Sequence, residues 1–229
     1  TVGGGRANTA SVALSTVGGG CSNTASGSNS TISGGYCNYT NARHSVVSGH
    51  RNVIVSPTNE CCSRGATISG GIGHNSSGGT LTAAGDLTGT ITCCNAGRFS
   101  TIGGGLRNVA TGGCSTVSGG SCNTASSNYS TVGGGRSNTA SDSGATVAGG
   151  SGTTASAYTS TVGGGKYNVA SGGNSTISGG YENDATGPSS VVGGGGYNRN
   201  GNLASGTISS VLGGMSNTAS GYGSSIGGG

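Results

Sequence analysis

Tryptophan is absent from these 229 residues, and phenylalanine and methionine occur once each. A globular domain of this length fills its interior with large apolar side chains, so an ordinary core is excluded. Leu, Glu, Lys and Gln are scarce, which removes long helices on propensity alone. Proline occurs twice and glycine is not every third residue, so the chain is not collagenous. No apolar run approaches a membrane-spanning length, and no membrane insertion is expected. Nine basic and five acidic residues leave a net charge of +4. Arg6, Arg51, Arg136 and Lys166 share one repeat position as a thin basic stripe. A nucleic-acid interface needs a denser patch, so no nucleic-acid partner is expected. The acids Glu60, Asp86, Asp142, Glu182 and Asp184 match no base, and His44, His50 and His74 do not cluster. No Gly-Lys-Ser/Thr follows the glycine runs, as a phosphate loop requires, and the repeated Asp of calcium-binding rolls is missing. Neither catalytic residues nor a cofactor nor a metal site is expected, and the chain is not read as an enzyme.

What the chain has instead is repetition, with a run of glycines, out of 54 in all, recurring in phase. A fifteen-residue unit, cleanest at residues 16–30, starts at residues 1, 16, 31, 46, 67, 86, 101, 116, 131, 146, 161, 176, 191, 210 and 225. The second position reads Val2, Val17, Ile32, Val47, Ile68, Leu87, Ile102, Val117, Val132, Val147, Val162, Ile177, Val192, Val211 and Ile226. The fourth reads glycine throughout, Gly49 and Gly89 included. A flexible linker has no reason to keep one β-branched residue in phase. A short repeat with in-register insertions signals a chain wound into stacked coils. The reading is all-β: a parallel β-solenoid (a β-roll, left-handed) with two short strands per coil and about fifteen coils. It is one continuous solenoid over 1–229, with loop insertions within 46–66, 67–85 and 191–209.

Alternation along a strand places position 2 and the Ser of position 15 inward and the Thr of position 1 outward. Glycines at positions 3 to 5 turn the chain, and positions 6 and 7 form a variable solvent corner. Asn at position 8 and Ala at position 10 face inward on a second strand, as in Asn23 and Ala25. Stacked Asn side chains then form an amide ladder. Positions 12 to 14 are the second corner. Fifteen coils about 4.8 Å apart would span on the order of 70 Å. One aliphatic residue per coil is a thin interior, so neighbouring copies are expected to contribute to stability.

Ser15-Thr16-Val17-Gly18-Gly19-Gly20, followed by Asn23-Thr24-Ala25-Ser26-Gly27, resembles the head repeats of trimeric autotransporter adhesins, the YadA-like head and haemagglutinin repeat class. This would be a fifteen-residue variant of that repeat. The resemblance covers nearly the whole chain. It implies a left-handed parallel β-roll, often trimeric, displayed outside the cell and binding host matrix or other surfaces.

The eight cysteines are Cys21, Cys37, Cys61, Cys62, Cys93, Cys94, Cys114 and Cys122. Their even number in an extracellular-type composition makes them disulfide candidates. Cys21 and Cys37 fall one coil apart within bridging reach. The vicinal pairs Cys61–Cys62 and Cys93–Cys94 could be spanned by the insertion, and Cys114 and Cys122 would pair elsewhere, between subunits for example. Asn29, Asn38, Asn75, Asn128 and Asn174 match the glycosylation pattern, as chance also provides in so Asn- and Ser-rich a chain. Tyr36, Tyr129, Tyr158, Tyr167, Tyr181, Tyr197 and Tyr222 fall at corners, where they suit contacts with glycans or other subunits.

The leading functional expectation is an extracellular or cell-surface structural protein, a subunit of a fibre or filament assembled head to tail from copies of itself. One alternative is an adhesin head, trimeric, binding glycan or a matrix protein on a host surface. Another is an ice-binding face formed by outward Thr and Ser at positions 9 and 11, as in Thr24 and Ser26.

Overall fold

Two residues are the whole length of each strand, because glycine and a left-handed residue bend the chain on either side of a Thr-Val or Thr-Ala pair. The computed structural model describes residues 1–56, 64–76, 80–81, 87–88 and 97–229. The chain divides into two compact units, Thr1–Cys122 and Asn123–Gly229. Each is a parallel β-solenoid, without helix among the described residues, and together they contain about thirteen coils.

In the first unit the position-1 and position-2 strands are Thr16–Val17, Thr31–Ile32, Val46–Val47, Thr67–Ile68, Thr101–Ile102 and Thr116–Val117. Each pairs in parallel with the next, position 1 over position 1 (Thr throughout except Val46) and aliphatic over aliphatic. The second face carries Thr9–Ala10, Thr24–Ala25, Tyr39–Thr40 and Val53–Ile54 in register. It continues through single bridges at Asn75 to Val109. In the second unit the same two ladders run from Thr131–Val132 to Ser225–Ile226 and from Thr124–Ala125 to Thr218–Ala219.

A third line of pairing, at position 6, was not expected. Arg6, Cys21, Tyr36, His50, Ile72, Leu106 and Ser121 bridge in sequence, as do Arg136, Ser151, Lys166 and Tyr181. The first corner is thus hydrogen-bonded to its neighbours while its side chains vary. Both corners turn through residues with positive φ whatever their type: Ser22 and Cys37 at position 7, Asn29, Thr159 and Ile208 at position 14. A left-handed non-glycine residue costs about 1–2 kcal/mol. Here the conformation is held by coil-to-coil bonds such as Ser22 N–H to the Arg6 carbonyl (2.9 Å) and Asn29 N–H to that of Ala13 (3.2 Å).

The core matches the expected alternation. Val17, Ile32, Val47, Ile68, Ile102 and Val117 are fully buried in the first unit, and Val132, Val147, Val162, Ile177, Val192 and Val211 in the second. Val2 and Ile226, the outermost members, are exposed and half-buried. Ala25, Ala140 and Ala170 are buried beneath the second face, as are Asn23, Asn138 and Asn168. Where one coil carries the larger Ile54 at position 10, its position 15 is Ala66 rather than Ser, and both are buried. Small and large exchange across the same interior.

Leu87 is a correction. Ile68 pairs directly with Ile102, whereas Leu87 pairs antiparallel with Leu81. The coil that begins at Thr67 is therefore followed directly by the one that begins at Thr101, and the aliphatic match at Leu87 is a coincidence of spacing. With no coil starting at 86, thirteen full units and the five-residue stub at 225–229 remain, about thirteen coils rather than the expected fifteen. A second correction concerns 46–52, where one glycine is missing. Gly49 lies against Gly35 in the position-5 line, His50 bridges Tyr36, and Arg51 moves to position 7. Arg51 thus leaves the expected basic stripe, and Gly49 leaves the fourth column; Gly89 lies outside the described residues. The insertion of 191–209 is a hairpin at the first corner, with Tyr197 bridged antiparallel to Asn200.

Candidate functional site: a buried amide ladder and exposed corners

Asparagine at position 8 can donate twice and accept twice, and the coil uses these capacities across three levels. The Asn23 backbone N–H donates to Asn8 Oδ1 at 3.0 Å. Asn23 Nδ2 donates to Gly19 O of its own coil (3.0 Å) and to Gly35 O of the next (2.9 Å). Asn38 N–H then donates to Asn23 Oδ1 at 3.0 Å. Asn168, Asn183, Asn202 and Asn217 continue the pattern in the second unit. Thr153 substitutes for one Asn there, its hydroxyl donating to Asn138 Oδ1 at 3.0 Å.

His74 is the other substitute, and sequence reasoning missed it because a histidine gives no repeat signal. It is fully buried. Its backbone N–H donates to Asn52 Oδ1 (2.9 Å), and its Nδ1 accepts from Asn108 N–H (3.0 Å). The acceptor role of Nδ1 places the proton of the neutral ring on Nε2. Nε2 faces the Gly70 and Gly105 carbonyls, the counterparts of those that Asn Nδ2 binds, but reaches hydrogen-bond geometry with neither. Burial holds the imidazole below its ordinary pKa, partly offset by the nearby carbonyls.

The position-15 serines also point inward. Ser30 Oγ donates to Gly27 O at 2.6 Å and Ser45 Oγ to Ala42 O at 2.9 Å. Ser115, Ser175, Ser190 and Ser209 keep a buried hydroxyl without a partner.

The outer surface carries the remaining expected residues. Cys21, Cys37, Cys114 and Cys122 form no disulfide within the chain, which corrects the expected Cys21–Cys37 bridge. Tyr36, not Cys37, bridges Cys21 at position 6; Cys37 follows at a left-handed residue that turns the chain between the two side chains. The Tyr36 phenol is raised above its ordinary pKa, first by its hydrogen bond with the Cys37 thiol and then by the negative charge that Cys37 and Cys21 can carry. Cys61, Cys62, Cys93 and Cys94 lie outside the described residues. Tyr36, Tyr129, Tyr158, Tyr167, Tyr197 and Tyr222 are exposed and Tyr181 is half-buried. Tyr39, also exposed, was missed because it sits on the second strand rather than a corner.

Tyr36 stacks edge-on against His50 with centroids 5.2 Å apart. Asp184, in an outward Thr position, is held above the ordinary carboxyl range by burial and then by the charge of Glu182. Among the described residues no group of three or more His, Cys, Asp or Glu is placed to hold a metal ion. No helix there is long and apolar enough to cross a membrane. Compared with protein-family models and curated proteins, the chain matches none.

Proposed function

We propose that this chain is a structural β-solenoid subunit of a fibre or filament displayed outside the cell, in which coils of one copy stack on coils of another. The observation that carries this reading is the self-complementarity of the coil. One side of each rung offers an Asn Oδ1 to the next backbone N–H, and the same Asn Nδ2 reaches the next glycine carbonyl. The surface one coil presents is therefore the surface another copy needs, and a contact of this heterologous kind propagates without closing. The resemblance to adhesin head repeats supports display at a cell surface.

The ice-binding alternative has less support. The outward position-9 line of the second unit carries Val169, Asp184 and Leu203 between its threonines.

The test is electron microscopy and X-ray diffraction of the concentrated recombinant chain. Unbranched filaments with a reflection near 4.8 Å along their axis are expected. A monodisperse monomer by light scattering at high concentration, with no filaments, would sink the proposal.

A further inference from the structure

The first corner of the second unit gathers aromatic and cationic side chains onto one line. Single bridges set Arg136, Ser151, Lys166 and Tyr181 one above another. Tyr167 follows Lys166 in the left-handed conformation, and its ring lies across Gly152 of the coil below, where a Cβ would stand 2.7 Å from two ring carbons. Lys166 Nζ lies 4.9 Å from the Tyr167 centroid and 5.7 Å from that of Tyr181. The two rings meet edge to face at 6.0 Å. The ammonium thus fixes both phenols and leaves its charge at the surface.

The inserted hairpin brings a third tyrosine, Tyr197, on the next coil. Gly196 and Gly201 press on the coil beneath, where a Cβ would lie 2.0 Å from the Tyr181 carbonyl oxygen and 1.6 Å from that of Glu182. That close seating fixes the hairpin directly over Tyr181, and Asn200 N–H closes it onto the Tyr197 carbonyl at 3.0 Å. Tyr197 is left 70% exposed, with Arg199 beside it at the tip. Repetition of the fold does not require this projection, since every other described first corner of the unit manages without it.

We propose that Lys166, Tyr167, Tyr181, Tyr197 and Arg199 form a binding strip for a linear acidic polysaccharide. Exposed aromatic rings with a polar rim take the C–H faces of sugar rings. The rings recur at one per coil along a stack that rises about 4.8 Å per coil, and the Tyr167 and Tyr181 centroids, 6.0 Å apart, are separated on the scale of one pyranose residue. A linear glycan laid along the stacking direction meets a ring at each step. Its carboxylate or sulfate groups meet Lys166 and Arg199, with Arg136 further along the line. Glu182 is the one acid on the strip, with Asp184 on the adjoining strand, and both are placed to accept sugar hydroxyls. The strip belongs to the second unit by itself, so the inference goes beyond the fibre reading and does not need it.

The experiment is calorimetric titration of the full chain with polygalacturonate, dextran sulfate and neutral dextran. Saturable binding to the two acidic polymers is expected, weakening as salt rises and at least tenfold weaker to neutral dextran. Tyr197→Ala and Lys166→Gln should each weaken binding about tenfold or more, with unchanged circular dichroism, because neither side chain enters the interior. A variant with 196–201 cut to two residues restores the ordinary corner and should lose the same affinity. Absence of binding, equal binding to neutral dextran, or binding unchanged in Tyr197→Ala would each overturn the proposal. So would loss of self-association in Tyr197→Ala, which would make a second copy of the chain the occupant.

Discussion

His74 shows how one side chain can serve a ladder written for another. Neutral imidazole imitates Asn because Nδ1 accepts where Oδ1 would, and the Nε2 hydrogen points where the amide hydrogens would. The imitation fails on protonation: Nδ1 gains a hydrogen and can no longer accept from Asn108 N–H. The titratable groups of this corner in the adjoining coils are His50, Arg51 and Arg107, none of which offers a negative charge. The sign follows from the direction of the shift. The folded pKa lies below the ordinary value of about 6.5, so the unfolded chain takes up the proton first as pH falls. The stability contributed by His74 is complete above about pH 6.5 and is lost as pH falls toward the folded pKa, by up to about 1.4 kcal/mol per pH unit. His74→Asn should remove this dependence and give the rung its missing amide bonds. Urea denaturation at pH 7.5 and pH 5 measures it: the parent midpoint should fall at the lower pH, and the variant midpoint should fall clearly less.

Among the strands and turns, the glycine run behaves differently from its pattern. The fourth position is the more uniform column in sequence, yet the space beside Gly149, Gly164 and Gly179 is open. Its role is to present a carbonyl to the Asn amide, as Gly164 does to Asn168 Nδ2 at 2.8 Å. The fifth position is the confined one. Gly165 has φ +84°, and a Cβ there would stand 2.2 Å from the Gly180 carbonyl oxygen and 2.6 Å from Asn168 Nδ2. Gly165→Ala should therefore cost about 3 kcal/mol, and Gly164→Ala within about 0.5 kcal/mol. Parallel denaturation curves decide the pair, and equal effects would refute the assignment. The two ladders, their register and the inward Val, Ala, Asn and Ser were legible because alternation and a fixed period leave one solution. The position-6 bridges were not, since backbone pairing leaves no mark on side-chain choice: Cys21, Tyr36 and His50 share nothing but their place. The exposed tyrosines were legible as corner residues, but their alignment with Lys166 needed the coil-to-coil register.

At the scale of the molecule, a solenoid is approximately a sum of coils and of the interfaces between neighbours, so a departure from the repeat matters only if it interrupts an interface. Residues 67–100 test this. By spacing alone, Leu87 begins a coil of its own between Ile68 and Ile102. By pairing, Thr67–Ile68 passes directly to Thr101–Ile102, while His74 and Asn75 meet Asn108 and Val109 on the second face. The two readings predict opposite outcomes for deletion of residues 78–96. If 86–100 were a coil, the deletion would remove most of a rung, uncover Ile68 and Ile102, and the unit would unfold or aggregate. With the observed pairing it leaves residues 67–77 joined to 97–100, fifteen in all, as an ordinary coil. Shortening the connection also lowers its closure entropy, at about 0.6 kcal/mol per halving of length. The deleted chain should thus keep its β-sheet circular dichroism and denature at the same or a slightly higher urea concentration. Loss of cooperative unfolding in this variant would mean that the register through 67–100 is wrong, and the thirteen-coil arrangement with it.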